Sequence, residues 1–337
     1  MKKLLTLFVS LMLILSFSVF AFGCDDDKKS SSGGSGTISG NYKDPTDAQL
    51  EQVVESLNAT TLFGDYEQAG WKFGLSASAS FDVNVKLGTQ KTVVDLDLSY
   101  KTLFENKETT GLAFAGMGSV DGTFKADAGM VDDVAVNNTI KFKLYNDTEY
   151  FFVDASESTG VVAPGEDTKI KISLSDILGS LGGNGMAPAT YSETEEEVTT
   201  GISVDEIKAV LDETGIKLQV DTSNGIKVKL SADAESLKTI IGAILTKAGA
   251  PAETINAISF SKSTVEFYFT IDKDGKFSQA TAKIDVAAKI TVSPEAPAFE
   301  VTAKVTADIK TSTDAVKLPD LSDFVDVAQS DTAVPTV

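Results

Sequence analysis

Residues 71–87 read WKFGLSASASFDVNVKL. Trp71, Phe73, Leu75, Ala77, Ala79, Phe81, Val83, Val85 and Leu87 take every odd position, and polar residues or glycine take every even one. Successive side chains leave a strand on opposite faces, so strict alternation predicts one strand with an apolar face and a polar face. At about 3.3 Å per residue it reaches roughly 55 Å, several times the common strand length. A strand that long needs a large, strongly curved antiparallel sheet around it.

The same pattern continues on both sides. Gly88-Thr89-Gln90 turns the chain into Val94, Leu96, Leu98, Tyr100 and Phe104. A third strand then carries Leu112, Phe114, Val120, Phe124 and Ala126, with Gly116, Gly118 and Gly122 on that face. Glycine inside a strand marks a bulge, a bend or a close approach. Ile140–Tyr145, Tyr150–Asp154 and Ile170–Leu174 follow, and Asn224-Gly225 joins Ile216–Thr222 to Ile226–Ala232 as a hairpin. Val265–Ile271, Ala280–Val292 and Phe299–Ile309 complete the strands. Helical periodicity falls at Pro45–Leu57, Ile177–Leu181, Val204–Leu211 and Leu237–Leu245, with a last turn from Pro251 through Ile258. The fold class is α+β: a large curved antiparallel sheet, a half-barrel, wrapped around a few central helices.

The N-terminus speaks for location. Lys2 and Lys3 precede an apolar run from Leu4 to Phe22, which ends at Gly23-Cys24. A positive start, an apolar middle and a small residue at the cut make an export signal. The junction resembles the lipobox of bacterial lipoproteins, with Ala21 and Phe22 where that motif has Leu and a small residue. The resemblance implies that residues 1–23 are a signal peptide and that Cys24 carries the lipid, palmitate included. An uncleaved membrane anchor is the alternative, and it leaves the chain on the same side of the membrane. Residues 24–40, with Asp25-Asp26-Asp27 and the Ser/Gly run after it, read as a flexible tether. One domain spans 41–327, and 328–337 is a loose tail.

Composition excludes several classes. The chain carries a net charge of −20, and it contains neither arginine nor histidine. Dense cationic charge is what holds nucleic-acid phosphates, so no nucleic-acid partner is expected. A single Cys leaves no disulfide, and stability must come from a packed core. Without His and a second Cys there is no Ser-His-Asp triad, no thiol pair and no zinc cluster. Ser259-Phe260-Ser261-Lys262 has the Ser-x-x-Lys spacing of acyl-transfer enzymes, but it leads into a strand rather than lying on one helix face. Asp272-Lys273-Asp274-Gly275 lacks the downstream Glu of a calcium loop and reads as a turn. Glu193 and Glu195–Glu197 read as a solvated acidic loop. The expectation is a monomer that is not an enzyme, with no metal and no cofactor.

The plan of long strands, central helices and long strands again resembles the half-barrel of LolA-like and LppX/LprG-type envelope lipoproteins. The phrase from Tyr145 through Asn146-Asp147-Thr148 to Asp154 is similar to their strand, turn and aromatic strand. Phe267–Phe277 and Val316-Lys317-Leu318-Pro319 also fit that plan. The resemblance implies a lipid or other hydrophobic ligand in the cell envelope. Tentative liners of such a cavity are Leu75, Phe81, Ile241, Leu245, Phe267, Phe269 and Ile284. Two other readings stay open: a structural or adhesive surface lipoprotein with a filled core, and a membrane β-barrel.

Overall fold

The structure is a computed structural model that describes residues 38–57, 62–65, 67–107, 111–131, 134–160, 167–174, 203–247, 251–291 and 297–326. Its strands are β1 (Lys72–Leu87), β2 (Gln90–Lys107), β3 (Gly111–Ala126), β4 (Val136–Asn146), β5 (Tyr150–Asp154), β6 (Lys169–Ser173), β7 (Lys217–Asp221), β8 (Ile226–Asp233), β9 (Ile258–Phe260), β10 (Thr264–Ile271), β11 (Phe277–Ile290), β12 (Phe299–Thr311) and β13 (Val325–Asp326). The helices are α1 (Asp47–Ser56), α2 (Val204–Thr214), α3 (Ala234–Lys247) and α4 (Ala252–Asn256).

All described strands join one unclosed, curved sheet in the order β13-β6-β5-β4-β3-β2-β1-β12-β11-β10-β8-β7, and β9 pairs with β11. The pairing is antiparallel except for β13 against β6, which is parallel. The long strand sits near the middle. Ala79 lies between Leu98 of β2 and Ala307 of β12, and Ala307 faces Ala282 of β11. Alternation plus register puts the odd residues of β1 on one face with Phe104–Val94, Phe114–Phe124 and Ile309–Phe299. We call this the inner face, and the end with the Gly88 turn the upper end.

The lower half of the inner face holds the core. Ala79, Ala307, Ala280 and Ala282 form a layer of small side chains on β1, β12 and β11. Phe267, Ile271, Phe277, Ile226, Val228 and Val220 fill the space beside them, and Val53 of α1 and Leu62 close the cluster. Each such aromatic or aliphatic side chain stabilises by about 1.5–3 kcal/mol when fully buried. Phe63 seals the lower end, 5.2 Å from the Phe73 ring and 6.1 Å from Phe277, while the Trp71 indole donates to its carbonyl at 2.8 Å.

Caps act where the sequence places them. Thr46 and Gln49 make a capping box on α1, and Ser203 and Glu206 make one on α2. Gly215 ends α2 in the left-handed conformation at φ 70°, which a side chain there would disfavour.

Both sheet edges are covered by ends of the same chain. Lys43 exchanges two backbone hydrogen bonds with Val220 of β7, and Tyr42 packs on the outer face 5.8 Å from Tyr268. At the opposite edge β13 pairs with β6, and the Phe324 ring enters between Tyr145 at 6.2 Å and Phe152 at 5.4 Å. An unpaired edge templates strand addition, and these straps occupy it.

Some expectations change. Ile258 stands in β9 rather than in the last helical turn. Pairing with Ile290 of β11 gives it sheet hydrogen bonds that a fraying one-turn helix lacks. The helix of Ile177–Leu181, the acidic loop, Cys24 and its tether up to residue 37, and the tail from 328 lie outside the described residues.

Candidate functional site

The inner face divides by height. At and below the Ala79 level Tyr100, Leu144, Ala280, Phe267 and Ile309 are buried, while Phe73, Leu75, Ala77 and Leu98 are half-buried and pack against the core cluster. Above it the same strands present Phe81, Val83 and Val85 on β1, Leu96 and Val94 on β2, Val305 and Val301 on β12, and Ile284 and Val286 on β11. All of these are only half-buried. Thr92 and Ala126, beside the β3–β4 connection, are the buried exceptions.

Register shows that they form one surface. Phe81 sits between Leu96 and Val305, and Val305 faces Ile284. Val83 sits between Val94 and Ala303, and Ala303 faces Val286. From Phe81 to Leu87 the surface runs about 20 Å along the strands, and from β3 to β11 it is about 19 Å wide at the usual strand spacing. No charged side chain points onto this part of β1, β2, β3, β11 or β12. The polar ones are Gln90 and Thr92. This is an apolar trough, and its chemistry suits a hydrocarbon.

The floor of the trough is a polar clasp. Tyr100 of β2 reaches over Gly116 of β3, and its hydroxyl donates to Asn146 Oδ1 of β4. Both residues are buried, and burial pushes the Tyr100 phenol up. A Cβ at Gly116 would collide with the Tyr100 hydroxyl and with Asn146, so glycine is what lets the ring lie flat across β3.

The sequence-predicted liners separate on this map. Phe267 belongs to the buried core cluster, and Leu75, Phe81 and Phe269 are partly buried side chains packed against it. Ile284 lies beside Phe81 in the trough, across Val305. Ile241 and Leu245 ride on α3, which neighbours β8, β9, α4 and α2 rather than the middle strands. Both are half-buried. Sequence reasoning missed Val83, Val94, Val286 and Val301, although their alternation was visible, because exposure along a strand is not encoded in its period.

The outer face is polar and largely self-paired. Lys229 meets Glu266 at 2.7 Å, and the Tyr268 hydroxyl donates to Glu266 at 3.0 Å. Burial raises the Glu266 carboxyl, but the bonds from Lys229 and Tyr268 outweigh it and leave it below its usual value. Asp308 accepts from Thr281 and Gln279, both at 2.6 Å. Two depressions open on the polar side. One, of about 40 Å³, holds Asp121, Asp154 and Glu157 with Lys141 and Lys143, and Lys143 pairs with Glu157 at 2.5 Å. The other, of about 190 Å³, lies beside Gly215, Lys217, Asp233 and Glu266. Ser259 stands in β9, and Lys262 follows it at φ 50°, so that Ser-Lys pair does not share a helix face. Among the described residues no helix is long and apolar enough to cross a membrane.

No protein-family model and no curated protein matches the chain. Among solved structures it is similar to a beta-barrel-like protein of the domain of unknown function DUF1849 from Brucella abortus. The match is at 8% identity, over 71% of this chain and 98% of that one, with a TM-score of 0.15. At that score nothing is carried over from it.

Proposed function

We propose that this chain is an exported lipoprotein, held on a bacterial membrane by a lipid on Cys24, that binds or carries a lipid or other hydrophobic ligand in its upper trough. The observation that carries the reading is the half-exposed apolar surface around Phe81, Val83, Val305 and Ile284. Soluble monomers rarely leave a contiguous apolar patch of more than a few hundred Å² uncovered, and a ligand supplies the cover. The apolar run ending at Gly23-Cys24 supports the anchor, and the resemblance to LolA-like and LppX/LprG-type half-barrels supports the ligand class. The protein acts by binding alone, as a monomer without catalysis, cofactor or nucleic acid.

Native mass spectrometry of the purified chain, followed by organic extraction, tests the ligand. A bound lipid-sized mass and uptake of a fluorescent fatty acyl probe are expected. An empty protein that takes up no probe leaves the structural or adhesive reading instead. Acyl labelling of Cys24→Ala tests the anchor separately, and labelling that persists in that variant contradicts it.

A further inference from the structure

The larger depression on the polar side, about 190 Å³, has fixed walls. Gly215 ends α2, and its carbonyl accepts from the Ser236 hydroxyl at 2.8 Å, which ties that helix end to the first turn of α3. Asp233 Oδ1 accepts from the backbone of Glu235 and of Ser236, both at 3.1 Å. The same bonds hold its carboxyl below the usual value. They fix the Asp233 carboxylate at the edge of the depression and leave Oδ2 without a hydrogen-bond partner among the described residues.

The floor is one row across three strands. Lys217 of β7 stands opposite Ser231 of β8, and Ser231 stands opposite Glu266 of β10. Read across, the row is cation, hydroxyl, carboxylate. Asp233 and Thr264 are partners in the neighbouring row. Lys229 and Tyr268 hold Glu266 from the other side, at 2.7 and 3.0 Å. A carboxylate has about four acceptor sites, so Glu266 keeps capacity for a further donor. The Lys217 ammonium and the hydroxyls of Ser231 and Thr264 make no hydrogen bond or ion pair among the described residues.

Size and charge name the ligand class. A cavity of about 150 Å³ holds a benzene ring, so this depression admits roughly six to ten heavy atoms. Lys217 and Glu266 stand two strand spacings apart, about 9.6 Å. A charge-assisted hydrogen bond takes about 2.8 Å at each end, which leaves about 4 Å between the charges of the ligand itself. An ammonium and a carboxylate joined through a single carbon lie about that close. A simple anion would meet the Asp233 and Glu266 carboxylates, and a simple cation would meet Lys217 and Lys229. Only a molecule with both charges is matched at each end.

We propose that this depression is a binding site for a small zwitterion, an α-amino acid. Its carboxylate lies on Lys217, its ammonium lies between Glu266 and Asp233, and the Ser231 hydroxyl meets it from the floor. The site is on the face of the sheet opposite the trough and does not depend on the ligand proposed there.

Equilibrium dialysis of the purified full chain against radiolabelled alanine tests it, with propionate and ethylamine as competitors that each carry one of the two charges. Saturable binding of one alanine per chain is expected, and each competitor should displace it at least tenfold less well than unlabelled alanine. Lys217→Gln, at an exposed position, should weaken binding at least tenfold with circular dichroism unchanged. Ser231→Ala keeps every charge and should weaken it at least threefold. No saturable uptake of alanine overturns the site. Uptake that both variants leave unchanged overturns it as well, and so does displacement by propionate or ethylamine as effective as that by alanine.

Discussion

At the Ala79–Ala307–Ala282 level β1, β12 and β11 turn alanines inward, and Phe267, Phe277 and Val53 fill the space those small side chains leave. Above it the same three strands turn Phe81, Val305 and Ile284 inward, and these stay half-buried. Both halves obey one alternation and one register. They differ in what lies opposite: the lower half packs against Phe267, Phe277 and Val53, whereas Val83, Val305 and Ile284 lie outside that cluster.

The largest effect separates the halves directly. Phe267→Ala empties a buried site in the lower core and should cost about 3–5 kcal/mol. Phe81→Ala removes a half-exposed ring and should cost about 1 kcal/mol while reducing probe uptake. Urea denaturation of both variants measures this. Equal costs would erase the distinction between core and trough.

Tyr100→Phe comes next. It leaves the buried Asn146 without its hydroxyl donor and should cost about 1–3 kcal/mol. Gly116→Ala should be at least as severe, because the new methyl meets the same two groups. A neutral outcome in both would mean that the clasp does not stabilise the fold.

The smallest effect concerns the N-terminal strap. Asp221 is held at about 2, below the ordinary 3.8, by hydrogen bonds from Ser223 and from the Asn41 backbone. A depressed carboxylate stabilises above its unfolded value and loses that contribution as pH falls through the folded one. The strap should therefore be firm above about pH 4 and weaken toward pH 2. Asp221→Asn should flatten that part of the stability profile, read as urea midpoints at pH 5, 3 and 2. An unchanged slope would show that the bonds from Ser223 and Asn41 to this carboxylate do not stabilise the fold.

Much of this fold was legible in the sequence. Period-two runs mark β1, β2, β3, β11 and β12, Asn224-Gly225 marks the β7–β8 hairpin, and Ser203 with Gly215 brackets α2. What stayed hidden is relational. Tyr100 and Asn146 lie 46 residues apart, and only register across Gly116 joins them. Lys43 meets Val220, and Val325 meets Ile170, through contacts that no local pattern announces. The apolar stripe of α3 reads as a central helix, yet the short connection from Asp233 keeps it beside β8 and β9. The trough was half visible: Phe81 and Ile284 were legible as inward residues, but alternation looks the same whether or not something covers it.

The central claim is that the upper inner face is a ligand surface and the lower one a core, and a pair of tryptophans tests it most directly. Ala303 faces Val83 and Val286 in the trough, and Ala282 is buried beside Phe267. Native mass spectrometry and thermal unfolding should be run on Ala303→Trp and Ala282→Trp together. The account predicts that Ala303→Trp loses the bound mass and keeps its melting temperature. Ala282→Trp should be destabilised by about 1–3 kcal/mol or more through overpacking. If Ala303→Trp unfolds like Ala282→Trp, or keeps the full ligand content of the wild type, the trough is not where the ligand sits.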